Sequence, residues 1–447
     1  MFKRSLSVLA LAAMVVATSV SVIGISAQAA TPMATSDVGA IDCKGAKQGD
    51  TVTVLYQWSG EEETHFSDIM KPLVDQCGIV IQPTSTRDQA LLDTQVQAGT
   101  PPDIAFWTLA AAIRYKDQLQ AMDSLGAAQS SYPDWAVKEG TVGGKWVALP
   151  VKTDIKTIVW YDPAVWDAKG YTVPTTWDDF TALVDKMAGA GDVPFSMGFE
   201  SGDATGWTGQ DFIEDIMLAT KGPDYVQGLI DGTIPFNDQG VKDAWTIYGK
   251  WASDAKYTVG GAQGTLSTNF NDAIYKVFSD PPEAMMVKQS GFAGGAVAAK
   301  YPDLQYGTDY DFFPFPGAQG VQGGADLMLA FSNKPAVQAL VSYLASPAGG
   351  IKWAEVGFDE TPNLAGAGHY LDPQLQKKGA ALAAAKGLIN SIGDAIPNGF
   401  ANVEWGGIVS YVNGGDLNSI LDNLAAAQKE ALSGVQLTPP PTAEASS

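Results

Sequence analysis

The sequence predicts an α/β protein of two lobes built around a mostly parallel sheet, and three observations carry that expectation. First, short apolar runs of strand length alternate with helix-period segments through the early chain. Second, the roughly 418 residues after Ala29 exceed what one small domain needs, and no Gly/Ser-rich linker divides them, so both lobes are woven from one chain. Third, between Gly144 and Phe180 (GKWVALPVKTDIKTIVWYDPAVWDAKGYTVPTTWDDF) an apolar run is interrupted by Lys152, Asp154 and Lys156. Trp146–Val151 reads as one buried strand and Ile158–Tyr161 as a second, with the charged residues where the chain changes strand. A buried crossing carrying charge points to a cleft.

The elements follow in order. Thr51–Trp58 (TVTVLYQW) alternates as a first strand, and Phe66, Ile69, Met70 and Leu73 recur at helical spacing within Glu61–Gln76. Ile79–Thr84 reads as a second strand, Arg87–Ala98 as a helix, Pro102–Trp107 as a third strand and Leu109–Leu119 as a helix. Sheets of this kind bind ligands beyond the carboxyl ends of their strands, here Trp58–Glu61, the Thr84–Asp88 turn and Trp107. Thr175 or Thr176 can cap a helix whose first turn holds Asp178 and Asp179, where the helix dipole favours carboxylates. A helical stretch runs from Gly209 to Ala219. Ala284–Val287 is a short strand, and Tyr310–Phe315 another before the Gly-rich stretch Gly317–Gly324. Pro335–Leu344 is a helix with Ser332 or Asn333 as its cap. Leu417, Ile420, Leu421 and Leu424 make the last helix amphipathic, with Gly434 as its stop. The tail TPPPTAEASS is expected to be disordered.

The chain opens on basic MFKR, runs apolar from Leu6 to Ile25 and offers small residues at Ala27-Gln28-Ala29, the pattern of a secretory signal peptide over residues 1–29. Its apolar run also approaches the length of a membrane anchor, and no cysteine stands there to take a lipid. A net charge of −22 disfavours nucleic acid or an anionic membrane as partner, since both need clustered Lys and Arg. The two cysteines, Cys43 and Cys77, suit a disulfide in an exported chain, the alternative being two buried thiols. Without nearby histidines they make no closed zinc site, so no metal and no cofactor is expected.

The order GKxxxLPxxxDxxxxxWY then TTWDDF resembles the first lobe crossing of family 1 extracellular solute-binding proteins, which serve ABC importers. PDIAFW, GFESGDATGWTGQDFIEDIML, MMVKQSGF, TDYDFFPFP, ASPAGGIKWAEVGF and AIPNGFANVEWGGIVSYVNGGDL extend the resemblance over about Thr51–Leu432, the second of these being similar to the α-glucoside branch. The resemblance implies a two-lobed type II periplasmic-binding-protein fold with the ligand cleft between the lobes: residues 40–153 and 313–358 in the first lobe, 154–312 and 359–435 in the second, and a tail over 436–447. It further implies a sugar as ligand, membrane permease subunits as partners, a monomeric receptor outside the cytoplasmic membrane, and hinge segments near Val151–Asp154, Tyr310–Pro316 and Gly357–Asn363. By position it carries over Trp107, Asp154, Phe292 and Trp405 to the site. Maltose receptors have tryptophan where this chain has Phe292, which leaves the ring count of the ligand open.

A pyranose has an apolar C–H face and a rim of hydroxyls, so its site needs aromatic plates beside charged or amide groups. Among the twelve tryptophans, Trp58 and Trp107 are candidates because they end strands, and Trp207 because it lies in a Gly-rich loop. Trp160, Trp166, Trp177, Trp245 and Trp251 read as packing residues. Glu61, Arg87 and Asp88 lie at turns on the carboxyl edge of the sheet, where Glu61 and Asp88 would equally serve as helix-start carboxylates. Asp211 and Asp326 accompany Gly-rich turns. Lys152 could donate to hydroxyls or pair with Asp154. A secreted glycosidase would share the acidity and aromatics but needs two carboxylates at a set separation. The only histidines, His65 and His369, stand in no nucleophile-elbow or HExxH context. A polyamine receptor of the same fold is the other alternative, against which Arg87 and Lys152 argue.

Overall fold

A computed structural model describes residues 39–434 apart from Arg87, together with Leu437. The signal segment, Arg87 and the Pro-rich tail lie outside the described residues. Among those described, no helix is long and apolar enough to cross a membrane.

Strand β1 (Thr51–Tyr56) is followed by the helix Glu61–Cys77, β2 (Val80–Ser85), the helix Gln89–Gln97, β3 (Ile104–Trp107) and the helix Leu109–Tyr115. β1 pairs in parallel with β2 on one side and β3 on the other, as the alternation of strands and helices predicts. Val52, Val54 and Tyr56 pack with Phe66, Ile69, Met70 and Leu73 of the first helix in one core. Leu55 and Ala105 face a smaller core on the opposite side, with Leu92, Ala111 and Ala112. Apolar runs in these strands therefore reflect a sheet covered on both faces.

After the short hairpin β4 (Thr141–Val142) and β5 (Lys145–Trp146) come β6 (Ala148–Ile155) and β7 (Ile158–Tyr161). Here the structure corrects the sequence reading. The strand does not stop at Val151 but runs four residues further, so Lys152 and Asp154 lie inside it. Charge does not end a strand whose backbone ladder continues, and β6 stays paired with a long neighbour throughout.

That neighbour was the element the sequence concealed. β8 (Met286–Lys288) and β9 (Asp311–Pro314) flank β7 in a three-stranded antiparallel sheet, whereas β10 (Val321–Ala330) returns to the first sheet. β10 is antiparallel to β6 along Gly323–Leu329 and to β3 along Leu327–Ala330. Its first three residues pair in parallel with β11 (Leu388–Asn390). The Gly-rich stretch Gly317–Gly324 reads as a loop because glycine weakens strands, but at Gly323 it permits close approach. A Cβ there would lie 2.6 Å from the Asp154 carbonyl oxygen. The second sheet supports a separate core with Phe180, Phe195, Phe212, Trp245 and Trp251, closed by the carboxyl-terminal helices Phe400–Val412 and Leu417–Leu432. The helix Pro335–Leu344 forms as predicted, but Lys334, not Ser332 or Asn333, is its cap residue.

Cys43 and Cys77 form a disulfide across 34 positions, with Cα atoms 5.5 Å apart. Gln76 adds two bonds to the segment before Cys43, accepting from the Ile41 amide at 2.9 Å and donating to the Gly39 carbonyl at 2.9 Å. The double Cys43→Ser, Cys77→Ser variant is expected to lose about 3–4 kcal/mol of unfolding free energy on the chain-entropy model. Urea unfolding of the two proteins measures this, and coincident transitions would contradict it.

Candidate functional site

Lys152, Asp154 and Lys156 alternate along β6 and its end, so they share one face. The register with β10 sets Asp326 opposite Lys152 and Gly324 opposite Asp154. Gly324 would have nothing within 4 Å of an added Cβ, which leaves open space above the ladder. The result is a polar floor with a chamber on either flank. One, of about 890 Å3, reaches Phe292, Asp359, Leu371 and Lys378. The other, of about 830 Å3, reaches Thr108, Arg114, Asp231 and Asn390. Both volumes fall in the range of small-molecule sites, and both chambers include Lys152 and Asp154.

The floor is a charge network. The Lys152 ammonium lies 3.0 Å from Asp359, 3.5 Å from Glu62 and 3.6 Å from Asp326, not paired to Asp154. Burial would lower its pKa, but Asp359, Asp326 and Glu62 together outweigh burial and hold it above the ordinary lysine range. Burial raises the Asp154 carboxyl, a shift the Lys378 charge only partly offsets. Lys378 itself pairs with the buried Glu360 at 2.6 Å. Asp326 also accepts from the Trp58 indole at 2.8 Å.

Two predicted plates are corrected by their burial. Trp58 is 2% exposed and packed among Tyr56, Phe66, Phe106 and Phe358, so it orients Asp326 instead of offering a ring face. Trp107 is 1% exposed in the smaller core. A strand's last side chain points to whichever face the pleat dictates, and here both faces are covered. Asp88 takes the capping role, accepting from the Ala90 amide at 2.9 Å. The Glu61 side chain and Arg87 lie outside the described residues.

Three aromatics do gather at the cleft wall. Phe292 is 40% exposed, and its ring lies 6.4 Å from Trp207 and 6.1 Å from Phe270, with Trp207 and Phe270 5.6 Å apart. Trp207 opens the helix Trp207–Thr220. Gly206 before it has φ 109°, and a Cβ there would lie 2.8 Å from the Trp405 carbonyl oxygen, so glycine is required on both counts. This sets the backbone of Trp405, in the helix Phe400–Val412, against Gly206. The sequence reading does not single out Phe270, Asp359, Glu360 or Lys378; the one available signal is the carboxylate pair directly after Phe358 in GFDETPN.

Asp211, the remaining candidate, is buried beneath the wall. It faces Lys156 at 3.6 Å and accepts from Gln322 at 3.2 Å. Its neighbours on the same helix are Glu214, which accepts from Gln210, Gln322 and the Ile392 amide, and Asp215, which pairs with Lys288 at 3.2 Å and accepts from Thr157 at 2.7 Å.

Residues 69–384 match the family of bacterial extracellular solute-binding proteins, and the chain belongs to that family. Its relatives include the alpha-glucosides-binding periplasmic protein AglE of Rhizobium meliloti, 30% identical over 410 residues, 86% of this chain and 87% of the relative. The osmoprotective compounds-binding protein GgtB of Synechocystis sp. is 30% identical over 403 residues, 85% of this chain and 93% of the relative. Among solved structures, the bacterial solute receptor AcbH matches with a TM-score of 0.70 at 21% identity, over 88% of this chain and 98% of its own. Apo RafE from Streptococcus pneumoniae matches at 0.69 and 18%, over 87% and 99%. These likenesses establish the two-lobed fold of the family.

Two predictions follow from the burial described here. Trp107→Ala removes a filled core position and is expected to cost about 3–5 kcal/mol, read by denaturant unfolding; a loss below about 1 kcal/mol would return Trp107 to the cleft. The second concerns pH. Burial, reinforced by the Asp211 charge, pushes the Glu214 carboxyl from 4.5 up to about 8, and burial pushes Asp215 from 3.8 up to about 6. The folded chain thus holds these protons more tightly than the unfolded chain. The stability they contribute is fully present below the unfolded carboxyl range and is lost as pH rises through the folded values. The melting temperature is expected to fall from about pH 5 to about pH 9, with Glu214→Gln flattening the upper part; an unaltered slope in that variant would exclude Glu214.

Proposed function

We propose that this chain is the extracytoplasmic receptor of a carbohydrate ABC importer, capturing a sugar in the cleft and delivering it to membrane permease subunits. The observation that carries this reading is the pairing of the Phe292–Trp207–Phe270 wall with the Lys152–Asp154–Asp326 floor. Aromatic rings match the C–H face of a pyranose, while interleaved ammonium and carboxylate groups match hydroxyls that both accept and donate. The likeness to AglE supports an α-glucoside as the sugar. The ligand-binding set proposed is Lys152, Asp154, Asp326, Trp207, Phe292 and Trp405, with Asp211 acting from beneath.

The receptor works as a monomer at the outer face of the cytoplasmic membrane or in the periplasm, after removal of residues 1–29. Its lobes comprise residues 40–153 with 313–358, and 154–312 with 359–435. Ligand held on one lobe gains contacts from the other on closure, so binding shifts an open–closed equilibrium that the permease reads. No catalysis is assigned: Asp326 and Asp359 both pair with Lys152, and a cation beside a carboxylate disfavours the proton-donating acid that a glycosidase pair needs. Polyamine binding is disfavoured by Lys152, Lys156 and Lys378 standing at the floor and chamber walls.

Thermal unfolding of residues 30–447 against mono- and disaccharides, spermidine and amino acids tests this. A ligand at 100 times its dissociation constant adds about 2.7 kcal/mol of stability. A rise in melting temperature with a disaccharide left intact is the expected result. A rise with spermidine alone would overturn the ligand class, and sugar cleavage would overturn the receptor reading.

A further inference from the structure

Trp405 is partly exposed, its backbone packs against the Gly206 that precedes Trp207, and its indole N–H points inward and donates to Gln210 Oε1. An indole nitrogen can only donate, so this bond dictates the orientation of the Gln210 amide. The NH2 group is then turned to Glu214, donating to Oε1 at 2.8 Å. Glu214 receives two further donors, the Ile392 amide at 2.8 Å on the same oxygen and Gln322 on the other. Gln322 is a β10 residue, and its backbone amide donates to Thr157 at 2.6 Å. Hydrogen bonds that converge on Glu214 from Gln210 on one side and Gln322 on the other therefore link Trp405 to the strand that carries the floor.

The surroundings leave room for this chain and for little else. Gln210 is 2% exposed. A Cβ at Gly393 would lie 2.7 and 3.0 Å from the two ends of its amide, so glycine there leaves the space the amide fills. The neighbouring Trp207 is treated alike, its N–H donating to Ser201 Oγ at 3.3 Å. Neither indole N–H is left for a ligand, and what both rings retain is an apolar face.

We propose that Gln210 is a positioning residue for the ligand site: by accepting the Trp405 N–H, it fixes that indole as a stacking plate and ties its orientation to β10. The inference rests on the sugar-receptor reading for its ligand, but the placement of Trp405 can be tested without one. Gln210→Met keeps side-chain length and removes both the acceptor and the donor.

Two measurements decide the matter. In protein labelled with 15N-tryptophan, the Trp405 indole resonance is identified by its loss in Trp405→Phe. Its exchange with D2O is expected to be at least about tenfold slower in the wild type than in Gln210→Met, since burial in a satisfied hydrogen bond protects it. Binding of maltose, trehalose and sucrose is then measured by calorimetry. Gln210→Met is expected to weaken the sugar that binds by about tenfold, but by less than about twofold in a Trp405→Phe background, where no N–H remains to be positioned. Equal exchange in wild type and variant, or the same tenfold loss in both backgrounds, would overturn the proposal. If none of the three sugars binds the wild type, the sugar reading fails while the exchange result still decides the role of Gln210. Should Gln210→Met not fold, Gln210→Asn, one methylene too short to reach both partners, replaces it in the same measurements.

Discussion

The antiparallel ladder between β6 and β10 is the interaction on which the cleft depends. Its register places Lys152 against Asp326 and leaves Asp154 facing a glycine. A slip of one residue would send Lys152 and Asp154 into the core and turn Val151 and Thr153 out to the floor. β10 is protected from such a slip because it is held at the same time by β3 at one end and β11 at the other. The strand is thus an interior member of the first sheet, flanked by β3 and β6 at once along Leu327–Leu329.

Upon that ladder the chain sets charges in dry places, and nearly every one has a partner. Lys152 lies among three carboxylates, Lys378 meets Glu360, and Lys288 meets Asp215. Such pairs add little to net stability, because desolvation offsets their attraction, but removing one member leaves a charge without compensation. Their effect is to hold the floor in one arrangement before any ligand arrives, which lowers the ordering cost of binding. The aromatic wall differs: Phe292 is exposed, and its contacts with Trp207 and Phe270 are ring contacts that permit adjustment.

What could be read in the sequence was whatever declares itself locally. The first three strands and their helices announce themselves by period, and the disulfide by there being only two cysteines. β10 was hidden because Gly317–Gly324 carries turn residues, and the fact that these glycines admit a neighbouring backbone is a property of the partner strand. Burial of Trp58 and Trp107 was equally out of reach. Trp107 ends β3 and Trp58 lies two residues beyond β1, but whether either indole faces solvent depends on Phe358, Leu327 and Leu329, more than two hundred residues further on. Lys152 was legible as a charge in a crossing, whereas its partner Asp359 comes from a distant loop.

The ladder also has a mechanical meaning. Hydrogen bonds running between two antiparallel strands strongly resist sliding of one strand along the other, since every bond in the row must lengthen together, but a two-stranded ribbon bends and twists across its plane at small cost. Along Gly324–Asp326, where β10 pairs with β6 and with neither β3 nor β11, the ladder therefore possesses a soft bending mode and a stiff shear mode. Rotation of the two cores across this stretch would strain it less than sliding. Asp154 and Gly324, opposed within it, would then travel least, so a bound molecule would keep a fixed reference point while the walls at either side moved around it.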